Sequence, residues 1–147
     1  MQRITTRAEM RAGTLWHRST YIAVKRTSGA LVVHRRADWK DVYAGLWDIA
    51  FGGVCDVGED WAEAAARELG EEAGLVNQDL QFAGRGTYDQ PDGRVVGMAY
   101  TVVTDDPLQC NDGEVVELAE VAPADLTQWL EAHPVCADSL QIMLPLL

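Results

Sequence analysis

The 147 residues are enough for one domain with a single substantial core, and 48% hydrophobic with 24% charged residues is the balance of an ordinary globular protein. A formal net charge of -11 argues against duplex nucleic acid as a partner, because phosphate backbones select Lys- and Arg-rich surfaces. No apolar run approaches the roughly 20 residues that cross a bilayer, which leaves no membrane role to expect. Arg3, Arg7 and Arg11 near the N-terminus lack the apolar stretch of a signal peptide, so a cytoplasmic location is expected. Cys55, Cys110 and Cys136 are odd in number and show no CxxC spacing, which reads as idle thiols rather than a zinc site or a disulfide framework.

In chain order, Thr6-Arg7-Ala8-Glu9 has the form of a capping box and predicts a short helix ended by Gly13, a possible contact surface for a homodimer. Tyr21 to Lys25 and Ala30 to His34 are strand-like and, around Thr27-Ser28-Gly29, read as a hairpin. Residues 37–47 alternate Trp39, Tyr43 and Trp47 with polar residues and are expected to form an ordered loop, followed by a short strand from Asp48 to Phe51. A helix is predicted to start near Asp60, capped with Glu63, and to stop at Gly74. Leu80 to Tyr88 and Arg94 to Thr104 form a second hairpin around Gln90-Pro91-Asp92-Gly93, whose residue types suit a tight turn. Val115 to Val121 is a further strand, Pro123 and Asp125 open a helix through about Glu131, and a last helix begins near Ala137. Strands around one central helix, with helices at the end, imply an α/β protein with a mixed sheet covered on both faces. No linker or repeat interrupts the chain, so residues 1–147 are read as one domain.

The central helix carries the chemistry. Ala62, Ala66, Leu69 and Ala73 recur at helical intervals and predict an apolar stripe, while Glu68, Glu71 and Glu72 at i, i+3 and i+4 share another face. Like charges at that spacing cost a few tenths of a kcal/mol per pair on an isolated helix. A hard cation reverses the penalty, and magnesium commonly bridges a few carboxylates to substrate phosphates. The Gly52-Gly53 pair ahead of the helix lets backbone approach the same point. A plainly solvated acidic face is the alternative for three glutamates taken alone.

They do not stand alone. Gly53, Glu59, Arg67, Glu68, Leu69, Glu71, Glu72, Gly74 and Leu75 together fill the pattern G-x5-E-x7-R-E-U-x-E-E-x-G-U, with U a bulky aliphatic. This stretch resembles the box of the Nudix hydrolases, which cleave a nucleoside diphosphate joined to another moiety. The resemblance implies the Nudix fold, an α/β/α sandwich around a mixed β-sheet, and a pyrophosphohydrolase that uses Mg2+, or Mn2+ in its place, on a small phosphorylated substrate. It implies metal ligation by Gly53, Glu68, Glu71 and Glu72, with Glu71 or Glu72 in the catalytic step and Arg67 holding a box carboxylate such as Glu59. Glu114 and Glu117 are alternatives for the base, since some members draw it from outside the box.

Segments Thr6–Ala12, His17–Ile22 and Val33–Arg36 are also similar to a bacterial branch of the family related to type I isopentenyl-diphosphate isomerase. That relative implies diphosphate contacts at Arg36 and Lys40, with a solvated-loop role as their alternative. Its catalytic Cys and one of its metal-binding His residues fall at Gly52 and Val54, and Cys55 is out of register, which opposes an isomerase. His17 matches another metal-binding His of that enzyme, but a structural histidine is the simpler reading once its partner is Val54. A non-catalytic binding module is the remaining rival, against which an intact box speaks. Trp39, Tyr43, Trp47 and Tyr88 could stack a flat group or serve as core and loop anchors.

Overall fold

The computed structural model describes residues 15–40 and 42–147. The helix expected from Thr6 to Gly13 lies outside the described residues. From residue 15 the chain forms β1 (Trp16–Lys25), β2 (Leu31–Arg36), β3 (Trp47–Asp48), helix α1 (Trp61–Ala73), β4 (Gln81–Gln90), β5 (Gly93–Val103) and β6 (Val115–Val121). A 3-10 turn (Pro123–Asp125) leads into α2 (Leu126–Ala132), and α3 (Ala137–Ile142) ends in a second 3-10 turn (Leu144–Leu146).

The sheet is mixed. β1 runs parallel to β5 over its whole length, from Trp16 opposite Arg94 to Lys25 opposite Val103, and β5 pairs antiparallel with β4. The expected first hairpin is real but splayed. β2 touches β1 in register only at Leu31 opposite Lys25, then pairs antiparallel with β3 and with β6. The edge of β1 that β2 vacates is taken by the segment after β3: Phe51 exchanges two backbone hydrogen bonds with Ile22, and Thr20 N–H donates to the Gly53 carbonyl at 3.0 Å. Much of the short strand expected over Asp48–Phe51 is thus this looser attachment, and the regular pairing is confined to Trp47–Asp48.

Both faces of β1 are buried from Ser19 to Val24, and Tyr21 to Val24 read apolar without alternation. Tyr21 and Ala23 enter one core with Val33, Ile49, Val95, Ala99, Ile142 and Met143, beneath α2 and α3. Ile22 and Val24 enter the other, with Phe51, Leu69, Ala73, Tyr100 and Val102, beneath α1. Helices on both faces of a mixed sheet make the α/β/α sandwich that the resemblance implies. Among the described residues no helix is long and apolar enough to cross a membrane.

α1 begins and ends as its caps dictate. The Asp60 carboxylate accepts from Glu63 N–H at 2.8 Å, and Gly74 turns left-handed at φ 68°. Its buried face is not the expected stripe. Ala64, Ala65, Leu69 and Ala73 are buried, whereas Ala62 and Ala66 face solvent. The alanines at 64 and 65 lie nearer the direction of Leu69 and Ala73, and the shift rotates Glu68 into the buried set as well.

Gly52 sits at φ +143°, and a Cβ there would meet the Thr20 carbonyl oxygen at 1.9 Å. Backbone on backbone cannot give way, so Gly52→Ala is expected to lower the unfolding free energy by more than about 2 kcal/mol, measured by urea denaturation.

Candidate active site

A cleft of about 220 Å3 opens where the Gly52-Gly53 backbone, α1, the 37–46 loop, the β4–β5 turn and α3 meet. Gly53 faces Glu68 so closely that a Cβ would lie 2.8 Å from its carboxylate. Any other residue here would push that carboxylate out of its place.

The three glutamates of α1 separate. Glu68 is buried and Glu72 partly buried, and both line the cleft. Glu71 is exposed and lies outside the lining. The common face expected for all three is therefore split: the helix is turned so that the i, i+4 pair looks inward and Glu71 outward. Burial raises Glu72 well above the usual carboxylate range, and Glu68, Asp48 and Glu114 raise it further against the opposing charge of Arg36.

Arg67 holds the outer side of this arrangement. Its Nε and Nη2 donate to the two oxygens of Glu59 at 2.7 and 3.0 Å, a bidentate fork. Nη1 donates to Glu68 at 3.0 Å and Glu71 at 3.2 Å. The expected pairing of Arg67 with Glu59 is present, and Arg67 also steadies Glu68. Arg18 on β1 fastens the loop beneath: its Nη2 donates to the Glu59 carbonyl at 3.2 Å, and its guanidinium lies 5.1 Å from the Trp61 ring centroid.

Arg36 and Lys40 both line the cleft. Arg36 Nε donates to the Val42 carbonyl at 3.1 Å, and it has no ion pair within 4.0 Å among the described residues. Lys40 Nζ is bound to Glu114 at 2.9 Å, so two candidates from separate segments meet. Glu117 does not join them. It pairs with Arg35 at 3.2 Å outside the cleft, because it faces the other way along β6. His17 and Val54 are in the lining, while Cys55 is not, and burial pushes its thiol up to about 11.

Of the four aromatics considered, Tyr43 and Tyr88 line the cleft. Trp39 is exposed, and Trp47 packs edge-on against Trp129 at 5.4 Å in the core below. Sequence reasoning missed Tyr21, Asp48 and Asp138, all in the lining. Asp48 had a signal, as the lone carboxylate in the apolar run Trp47 to Phe51. Asp138 had none, since only the docking of α3 brings it to the cleft.

A cage of three or more His, Cys, Asp or Glu side chains ready for a metal is absent among the described residues. Magnesium does not require one, because it keeps waters and takes substrate phosphate oxygens beside one or two carboxylates. Glu68 and Glu72, with the Gly53 carbonyl, would supply oxygen donors of that kind, and the missing Cβ at Gly53 leaves Glu68 its place.

The fold is a mixed sheet between helices, and its cleft sets paired carboxylates against a glycine backbone. The NUDIX domain model matches residues 15–140, and the chain belongs to the Nudix hydrolase family, enzymes acting on acid anhydrides in phosphorus-containing compounds. It is 38% identical over 137 residues to the uncharacterized Nudix hydrolase PA4841 of Pseudomonas aeruginosa, covering 93% of this chain and 81% of that one. It is 34% identical over 122 residues to the uncharacterized Nudix hydrolase YfcD of Escherichia coli K12, covering 83% and 68%. In fold it is similar to the MutT protein of Methanosarcina mazei Go1, with a TM-score of 0.71, 22% identity and coverage of 84% and 86%. It is likewise similar to the NUDIX domain of Shewanella oneidensis NrtR in complex with ADP ribose, with a TM-score of 0.69, 19% identity and coverage of 92% and 93%.

The Arg67 fork depresses Glu59 from 4.5 to about 2. A folded value below the unfolded one means this stabilisation is complete above about pH 4.5 and is lost as pH falls through about 2. Glu59→Gln is therefore expected to flatten the decline of melting temperature between pH 4.5 and 2, followed by circular dichroism.

Proposed function

We propose that the chain is a magnesium-dependent pyrophosphohydrolase that cleaves a diphosphate linkage in a nucleoside diphosphate-type substrate. The observation that carries this reading is the pair Glu68 and Glu72, turned into the cleft against the Gly53 backbone. Glu68, Glu72 and the Gly53 carbonyl would hold magnesium, or manganese, with Glu71 a further ligand once it leaves Arg67. When bound, the ion neutralises diphosphate charge and lowers the pKa of coordinated water. Glu72, held near Glu68, Asp48 and Glu114, would offset that like-charge repulsion by ligating the ion.

The chain's own groups bind and orient the substrate. Arg36, with its terminal nitrogens uncommitted among the described residues, takes a phosphate by charge-assisted hydrogen bonds. Lys40 reaches the same anion by exchanging Glu114 for it, and the freed Glu114 carboxylate can accept a proton from the attacking water. Glu71 and Glu72 are the base candidates within the box. Glu117 lies outside the cleft and does not serve. Arg67 acts as a positioning residue, setting Glu68 through its fork to Glu59. The ADP ribose of the NrtR domain is a small phosphorylated ligand of the kind assigned here. Isomerase chemistry finds no support, because Gly52 packs on the Thr20 carbonyl and leaves no room for a cysteine side chain.

The test is a panel of nucleoside diphosphate compounds incubated with and without magnesium, following phosphate release. Metal-dependent hydrolysis is expected, with loss on adding a chelator. Glu68→Gln and Glu72→Gln should each lower kcat on the order of 100-fold or more, with melting temperature held or raised. Near-normal turnover in both purified variants would remove the ligand assignment.

A further inference from the structure

The two ends of the cleft differ in chemistry. The end toward α1 presents the Gly53 backbone and the cations Arg36 and Lys40. The end toward α3 is lined by Tyr21, Tyr43, Tyr88, Asp48, Asp92 and Asp138. Arg36 marks the junction, since its charge acts on Asp48 and Asp138 as well as on Glu72.

A phenol has one proton to donate, and at the α3 end all three are already committed. Tyr21 donates to Asp138 Oδ2 at 2.8 Å. Tyr43 and Tyr88 donate to the two oxygens of Asp92, at 3.0 and 2.8 Å. Asp48 Oδ1 accepts from Ala50 N–H at 3.1 Å, within the strand that builds the wall. What the tyrosines and acidic groups still offer the cavity is chiefly acceptor capacity, phenolic lone pairs and carboxyl oxygens, beside Arg94, whose Nε is committed to Asp89 at 3.1 Å; no tryptophan lies in the lining. The space is also small. About 220 Å3 must hold the diphosphate too, against roughly 300–1,000 Å3 for pockets that enclose drug-sized ligands.

We propose that the α3 end of the cleft is a specificity subsite for a compact group bearing clustered O–H or N–H donors, joined to the substrate's diphosphate. The inference rests on the hydrolase reading for the position of the diphosphate and adds what lies beyond it. An acceptor-lined wall leaves its own oxygens unsatisfied when an apolar group enters, so discrimination comes from desolvation as much as from contact. Hydroxyl and ammonium groups share the required chemistry. The clamp of Tyr43 and Tyr88 on Asp92 ties the β4–β5 turn to the 37–46 loop and so sets the width of the subsite.

Three matched probes test this: cytidine diphosphate esterified to glycerol, to ethanolamine and to ethanol. They offer hydroxyl donors, an ammonium, and no donor at the terminal group. With magnesium, kcat/KM for the glycerol or ethanolamine ester should exceed that for the ethyl ester at least about tenfold, and whichever is preferred names the donor. Tyr21→Phe and Asp138→Asn should each reduce that preference about tenfold, mostly through KM, as should Tyr43→Phe, whose partly exposed position makes it the safest to fold. Calorimetric titration of the three esters into metal-free protein reads the subsite without turnover. Binding of the glycerol ester with no hydrolysis of any ester overturns the hydrolase reading and leaves the subsite standing. Equal binding and turnover of the ethyl ester overturns the subsite and leaves the hydrolase reading standing.

Discussion

Two absent side chains govern this cleft. At Gly52 the chain presses against the Thr20 carbonyl, and at Gly53 it presses against the Glu68 carboxylate, closer than a Cβ would allow at either point. Backbone, strand and helix are thereby brought to one place, and the approach of the Gly53 backbone to Glu68 is set by van der Waals contact rather than by a flexible loop. The Gly53 carbonyl also accepts from Thr20 N–H, which fixes its orientation on β1.

Around that contact the chain concentrates negative charge and offsets only part of it. Arg67 spreads its nitrogens over Glu59, Glu68 and Glu71, so the outer half of the box is compensated. The inner half is not. Glu72 faces Glu68, Asp48 and Glu114 with Arg36 opposing, a state that burial makes less favourable. Such an imbalance is a liability for folding and an asset for binding a cation. Asp48 and Asp138 extend it toward α3, where burial lifts both above the ordinary carboxylate range, Asp138 against the hydrogen bond from Tyr21.

Much of this was legible before any coordinates. The caps at Asp60 and Gly74, both hairpins and the late helices follow local rules of turn and helix chemistry, and those rules operate within a few residues. The box placed Glu68 and Glu72 because its spacing is a helical repeat. What failed was orientation. Ala62 and Ala66 are as apolar as Ala64 and Ala65, so composition alone left the helix free to rotate, and only the fit against Leu69 and the sheet chose the face. The same limit hid the α3 end of the cleft. Tyr21 and Asp138 are 117 positions apart, and no local pattern links a strand residue to a carboxylate on a distant helix. Trp47 takes the core-anchor role rather than the stacking one, packed edge-on by Trp129 from a segment that no local pattern ties to it.

The pleat of β1 joins the two halves of the cleft in phase. Thr20 bonds the Gly53 carbonyl on the α1 side, and the next residue, Tyr21, points to the opposite layer and holds Asp138. Because neighbouring strand residues face opposite ways, inserting or deleting a single amino acid upstream would exchange their assignments. Each layer would then receive the partner meant for the other. Change in this strand must therefore proceed by substitution, while length variation is left to the connecting loops.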